Sequence, residues 1–185
     1  MTIKVLAISG SLRKASFNTL ALRAAASLAP EGMEVTLYDS LRDIPLYDDD
    51  LRAGSGYPEP VAAFRAAIKA ADALLIASPE YNFSVSGVLK NAIDWASRAP
   101  DQPFDGKPVA ILGAATGLYG TARSQYDLRK ILGGLNAMVL NKPEVLIGQA
   151  ATRFDAEGRL TDETARGLLA QQMAALQAWT LRLKG

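Results

Sequence analysis

Two stretches carry most of the chemically useful side chains. From Gly10 to Thr19 the order is Gly-Ser-Leu-Arg-Lys-Ala-Ser-Phe-Asn-Thr, which runs directly into a helical pattern. A helix N-terminus offers unpaired N–H groups and a partial positive charge, so it accepts a phosphate dianion. Ser11, Ser16 and Thr19 add hydroxyls, Asn18 adds an amide, and Arg13 brings a guanidinium able to fork onto two phosphate oxygens. A charge-assisted bond of this type contributes about 1.5–3 kcal/mol, so a few would hold a phosphomonoester firmly. Neither G-x-x-x-x-G-K-[ST] nor G-x-G-x-x-G is present. Ser and Asn are also ordinary capping residues, so a plain polar helix cap is the competing account of the same residues.

The second stretch runs Ser78-Pro79-Glu80-Tyr81-Asn82-Phe83-Ser84-Val85-Ser86-Gly87. It is polar, aromatic and stiffened by Pro79. A strand end of this kind presents fixed backbone N–H and C=O groups to a flat heterocycle, with Tyr81 or Phe83 as a stacking or lid surface. A well-packed turn, in which Pro79 ends the strand and Tyr81 fills a gap, would use the same residues. A third stretch, from Gly113 through Ala115, Thr116 and Gly117 to Arg123, is rich in small residues that let a ring lie against the backbone. It also suits a simple strand-to-helix turn. Arg123 suits either an anionic ligand or an ordinary ion pair, and the ion pair is the favoured reading.

What the chain lacks narrows the chemistry further. Its 185 residues include no Cys and no His. Thiolate nucleophiles, thiolate–zinc sites, imidazole bases and every Ser-His-Asp arrangement are therefore excluded. Reactive atoms, if the protein is an enzyme, belong to a cofactor. The net charge is +1, from 20 basic and 19 acidic residues spread along the length, which argues against a nucleic-acid binder. No apolar run reaches the roughly 18–20 residues that span a bilayer, and no targeting segment is read at the start. The expectation is a cytoplasmic protein without membrane or nucleic-acid partners.

The positioning elements follow from periodicity. Continuous apolar runs at Ile3 to Ser9, Ala73 to Ser78 and Val109 to Leu112 predict buried strands. Glu34 to Tyr38 and a short Ala137 to Leu140 complete a set of five. Helices are predicted over 17–29, from Glu59 to Ala71, from Val85 to Ala96 and over 119–133. A last helix begins near Thr161 as N-cap, with Leu169, Met173, Leu176 and Leu183 facing inward. Residues 40–57, with Pro45, three consecutive Asp and two Gly, read as a loop. Strand and helix alternating five times gives a parallel sheet covered on both faces. Such a sheet binds ligands beyond the carboxyl ends of its strands, where strand order reverses. A single domain over residues 1–185 is expected.

Gly10-Ser11-Leu12-Arg13 with Ser16 and Asn18, then Pro79-Glu80-Tyr81-Asn82, then Gly87-Val88-Leu89-Lys90-Asn91-Ala92-Ile93-Asp94-Trp95 resemble the NAD(P)H-dependent FMN reductase family, and within it the quinone and chromate reductase branch. The resemblance runs from the first strand to about Pro143. It implies a flavodoxin-like three-layer sandwich with a five-stranded parallel sheet in the order 2-1-3-4-5. It also implies FMN as cofactor, NADPH or NADH as co-substrate, and a homodimer or dimer of dimers. By carry-over, Ser11, Arg13, Ser16, Asn18 and Thr19 would hold the FMN phosphate, and Pro79, Glu80, Tyr81 and Asn82 would line the ring. Ala115, Thr116 and Gly117 would approach it from the third stretch. Where similar proteins often carry two adjacent glycines this chain has Gly120-Thr121, so the turn there is expected to differ. The implied activity is ping-pong hydride transfer to a quinone, a free flavin, an azo compound or an oxyanion such as chromate, with no catalytic residue from the protein. The alternative on the same fold is an electron carrier or regulatory FMN-binding protein, which the near-neutral charge disfavours.

Overall fold

The computed structural model describes residues 2–185. β1 (Ile3–Ser9), β3 (Ala73–Ala77) and β6 (Pro108–Ala114) are the central strands. Every residue of β3 and β6 is buried, as continuous apolar runs require in a sheet covered on both sides. β2 (Met33–Leu37) lies at the edge and alternates between half-buried and exposed residues. All pairings in this sheet are parallel, with Val5 opposite Val35 on one side and Ala73 on the other.

Side chains alternate across the sheet and feed two separate cores. Ile3, Val5, Ala7, Leu75 and Leu112 face α1 (Phe17–Ser27) and α6 (Glu163–Lys184), where they meet Leu22, Leu169, Met173 and Leu176. Leu6, Ile8, Leu74, Ile76 and Ile111 face α3 (Glu59–Ala70), α4 (Gly87–Ala96) and α5 (Ala122–Gly134). There they meet Phe64, Ile68, Ile93, Trp95, Leu128 and Leu132. Trp95 is fully buried; its indole N–H donates to the Pro45 carbonyl at 2.8 Å and its ring meets Tyr47 edge-on at 4.9 Å. Trp95 is therefore a core residue.

The sheet order is β2-β1-β3-β6 followed by a fifth position built from two pieces. β7 (Met138–Val139) pairs with Pro108 and Val109, and β8 (Val145–Ile147) pairs with Leu112 to Ala114. This is the flavodoxin-like order the sequence implies. The Ala137–Leu140 prediction captured only the first piece, because Val145–Ile147 is too short to carry a period of its own. Other elements also depart from expectation. Residues within 40–57 include a short helix, α2 (Asp49–Ser55), whose cap Asp48 accepts from the N–H groups of Asp50 and Leu51. The cap of α6 is Asp162, accepting from Ala165 N–H at 2.8 Å, and not Thr161. Leu183 is 39% exposed instead of inward, because it sits in the last turn, beside Asp72 and Lys107 at the N-terminal ends of β3 and β6.

The loop after β3 is a hairpin, β4 (Glu80–Tyr81) against β5 (Ser84–Val85). Its turn residues Asn82 and Phe83 both have positive φ, 49° and 67°, the backbone of a two-residue turn of the primed type. For Phe this conformation is costly, so the surrounding pairing must hold it.

Candidate functional site

Strand order reverses between β1 and β3. The loops after β1, β3 and β6 converge there on a cleft of about 150 Å³, lined by Ser11, Arg13, Ser16, Phe17, Asn18, Pro79, Glu80, Tyr81, Ala114, Ala115 and Thr116. Of the residues singled out from sequence, Thr19, Asn82 and Gly117 stand outside this lining. Thr19 faces a neighbouring cleft on the β2 side, its hydroxyl 2.9 Å from that of Ser9. Asn82 is at the exposed tip of the hairpin and Gly117 is exposed on the loop after β6.

Each contributor is held by a specific contact. Gly10 lets the first loop approach the third: a Cβ there would lie 2.9 Å from Pro79 Cδ and 3.2 Å from the Ala77 carbonyl oxygen. The Ser86 hydroxyl accepts from Leu89 N–H as the cap of α4 and donates to the Gly10 carbonyl at 2.7 Å, tying the two loops together. Ser16 is the cap residue of α1 and is buried, yet its side chain bonds to none of the helix N–H groups. The first N–H groups of a helix have no intrahelical partner, so the start of α1 and the Ser16 hydroxyl point donors into the cleft. Arg13 is exposed, its Nη2 donating to the Ala15 carbonyl at 2.7 Å and its guanidinium 5.8 Å from the Phe17 ring.

Asn18 does something the sequence did not suggest. Buried at 4% exposure, its amide Nδ2 donates to the Ala114 carbonyl and its Oδ1 accepts from Ala114 N–H, both at 3.0 Å. It therefore braces the end of β6 against α1 and keeps one amide N–H in reserve for a ligand.

Glu80 is likewise a brace. Its carboxylate accepts from the N–H groups of Arg123 and Ser124 at the start of α5 and pairs with Arg123 Nη1 at 2.7 Å. Arg123 in turn lies over the rings of Phe83, at 4.3 Å, and Tyr119, at 5.0 Å. The ion pair, the favoured reading for Arg123, is the one found. Thr121 occupies the place of a second glycine and adopts φ +70°. The missing Cβ of Gly113 makes room for it, since a Cβ there would lie 1.8 Å from Thr121 Oγ1. The loop from Ala115 is fastened to the far edge by Ala115 N–H to the Ile147 carbonyl, Ala150 N–H to the Ala115 carbonyl and Gln149 N–H to the Gly117 carbonyl. Thr116 and Gly117 are left exposed, and a Cβ on Gly117 would meet nothing within 4 Å.

The residues that hold this mouth are therefore of three kinds: donors at a helix N-terminus, an aromatic hairpin and an open, small-residue loop. Tyr81 is 55% exposed and Phe83 66%, so flat apolar surface lines the entrance. No group of His, Cys, Asp and Glu suited to a metal ion occurs among the described residues. No helix among them is long and apolar enough to cross a membrane.

Unpaired donors at the start of the first helix, beside a stiff aromatic loop at the switch point of a parallel sheet, are the arrangement of a flavodoxin-like mononucleotide-binding fold. The sequence profile for NADPH-dependent FMN reductases matches residues 3–152. The chain is 58% identical to an NAD(P)H-dependent FMN reductase of Pseudomonas aeruginosa, over 99% of this chain and 98% of that one. It is 45% identical to the quinone reductase of Escherichia coli K12, over 98% and 97%. Among solved structures it is similar to FerB, a flavoenzyme NAD(P)H:(acceptor) oxidoreductase from Paracoccus denitrificans, with a TM-score of 0.87, 36% identity and 98% coverage of each chain. The chain belongs to the NADPH-dependent FMN reductase family. Membership makes it an oxidoreductase that carries FMN and draws electrons from a reduced nicotinamide. The residues present fit that cofactor: unpaired donors and a cation beside aromatic and small-residue surface in one cleft.

Proposed function

We propose that this chain reduces quinones with NAD(P)H by a ping-pong reaction at an FMN seated in the switch-point cleft. The observation that carries the reading is the convergence of Ser11, Arg13, Ser16 and Asn18 with Pro79, Glu80, Tyr81, Ala115 and Thr116 on one opening. When bound, FMN would supply the hydride-transfer chemistry. The protein's share is placement. Arg13, Ser11, Ser16 and the N–H groups at the start of α1 hold the phosphate, with Thr19 supporting Ser9 behind them. Asn18 contributes its spare N–H and fixes the end of β6. Pro79 to Asn82 offer backbone groups and the Tyr81 ring, while Thr116 and Gly117 leave a face open to flat acceptors. Hydride transfer needs reacting atoms about 3–3.5 Å apart and no protein acid or base, which suits a chain without His or Cys.

An open face of this kind also suits free flavins, azo compounds and oxyanions such as chromate as acceptors. The proposed assembly is a homodimer or dimer of dimers and the proposed setting the cytoplasm. The test is steady-state oxidation of NADPH and NADH by a naphthoquinone with FMN-loaded protein. Parallel double-reciprocal lines and bleaching of the flavin absorbance by the nicotinamide alone are expected. An unchanged flavin spectrum with both nicotinamides would overturn the reading.

A further inference from the structure

A cationic opening lies beside the FMN cleft. A second cleft of about 330 Å³ lies on the other side of the first loop, between β1, α1 and the segment after β2. Arg13, Lys14 and Arg23 stand on its rim, and Asp39 is the one carboxylate in its lining. None of the three cations has an acidic partner within 4.0 Å among the described residues. Thr19, Leu22 and Arg23 belong to one face of α1, because residues three and four apart on a helix are neighbours. The interior mixes apolar floor, Ala7 and Leu37, with the Ser9 and Thr19 hydroxyls and with Tyr38, whose ring also packs on Phe64 at 5.0 Å.

We propose that this cleft receives the 2′-phosphoadenosine end of NADPH, with Arg23 and Lys14 distinguishing NADPH from NADH; the proposal rests on the reading above that a reduced nicotinamide reacts at the neighbouring FMN. Three observations lead there. First, the phosphate of FMN is already provided for, since Ser16 and Asn18 line the switch-point cleft and are absent from this one. Second, the cationic cleft adjoins the aromatic mouth across the first loop: Ser11, Leu12 and Arg13 line both it and an opening of about 430 Å³ that Tyr81, Ser86 and Val88 also line. Arg123, the cation over the hairpin ring of Phe83, is already paired with Glu80, whereas the cations of this cleft have no acidic partner among the described residues. Third, the lining matches a phosphorylated nucleoside. A flat base has Tyr38 and Leu37 to lie against, sugar hydroxyls have Ser9, Thr19 and Ser40, and a phosphate dianion has uncommitted guanidinium and ammonium groups. A quinone offers no charge for such a rim.

The test is calorimetric titration of the FMN-loaded full chain with two probes, adenosine 2′,5′-bisphosphate and adenosine 5′-diphosphate, for wild type, Arg23→Gln and Arg23→Glu. Arg23 is exposed and outside the FMN cleft, so folding and FMN content should be retained, which melting curves and the flavin spectrum verify. The 2′,5′-bisphosphate should bind wild type at least tenfold more tightly than the 5′-diphosphate. Arg23→Gln should weaken it about tenfold, which is about 1.4 kcal/mol, and Arg23→Glu should weaken it further. KM for NADPH should rise in parallel while KM for NADH stays within twofold. Equal binding of both probes, or a 2′,5′-bisphosphate affinity unmoved by either variant, would overturn the proposal. So would loss of FMN in the variants, which would make the cleft part of the FMN site. If instead neither nicotinamide reduces the flavin, the quinone-reductase reading fails, and the two-probe titration still decides whether the cleft takes a 2′-phosphate.

Discussion

Replacing Asn18 by Ala isolates the brace between the phosphate loop and the end of β6. In the folded chain the Asn18 amide satisfies both the N–H and the C=O of Ala114, a residue 4% exposed. Truncation leaves two buried backbone groups without partners, each worth about 1–3 kcal/mol. A water admitted to the vacated space can bridge them, which places the expected loss toward the lower end of the sum, about 2–3 kcal/mol. A domain of this size shifts about 2–4 °C per kcal/mol, so the melting temperature of the FMN-free protein should fall by about 4–12 °C. Asn18→Asp is the sharper companion. It keeps an acceptor for Ala114 N–H but turns a second carboxylate oxygen toward the Ala114 carbonyl and adds negative charge beside the phosphate cleft. It should therefore lose FMN affinity out of proportion to its loss of stability. Calorimetric melting without FMN, paired with fluorescence titration of FMN, separates the two effects. An FMN-free Asn18→Ala protein melting within about 1 °C of wild type would refute the brace.

Arg13→Ala should weaken FMN binding by about 10- to 100-fold, since one charge-assisted phosphate contact is worth about 1.5–3 kcal/mol; an unchanged dissociation constant in the same titration would remove Arg13 from the phosphate site. Glu80→Ala removes the acceptor for the N–H groups of Arg123 and Ser124 and should cost about 1–2 kcal/mol, as loss of a helix cap does. Hydrogen exchange at those two amides should accelerate, and unaltered protection would count against the cap. At the opposite end of the sheet, burial raises the Asp72 carboxyl, but bonds from Lys184 and from Lys4 N–H outweigh it and hold the group below its ordinary value of 3.8. A carboxyl lowered in the folded state stabilises above its unfolded value, and that contribution is lost as pH falls through the folded value. Asp72→Asn should therefore melt lower than wild type at pH 7, with the gap closing below about pH 3.8. A gap constant down to pH 2.5 would refute the linkage.

Much of this molecule can be read from its sequence because the signals involved are local. Ile3–Ser9, Ala73–Ala77 and Pro108–Ala114 are strands whose continuous apolar character already demands burial on both faces, and their alternation with amphipathic helices leaves little choice of architecture. The Gly10–Thr19 stretch likewise declares a helix start rich in donors, and the absence of Cys and His removes thiolate and imidazole chemistry whatever the fold. Side-chain partners distant in sequence were decided only by tertiary structure. Asn18 and Glu80 read as ligand contacts, yet their main bonds go to Ala114 and to the start of α5, 96 and 43 residues away. The second half of the fifth strand, Val145–Ile147, exists because β6 supplies an open edge, and three residues alone carry no period. The cationic cleft beside Tyr38 has the same origin: Arg23 and Ser40 are unremarkable in sequence, and they share one opening with Lys14 only because parallel pairing of β1 with β2 sets the loop after each strand beside the other.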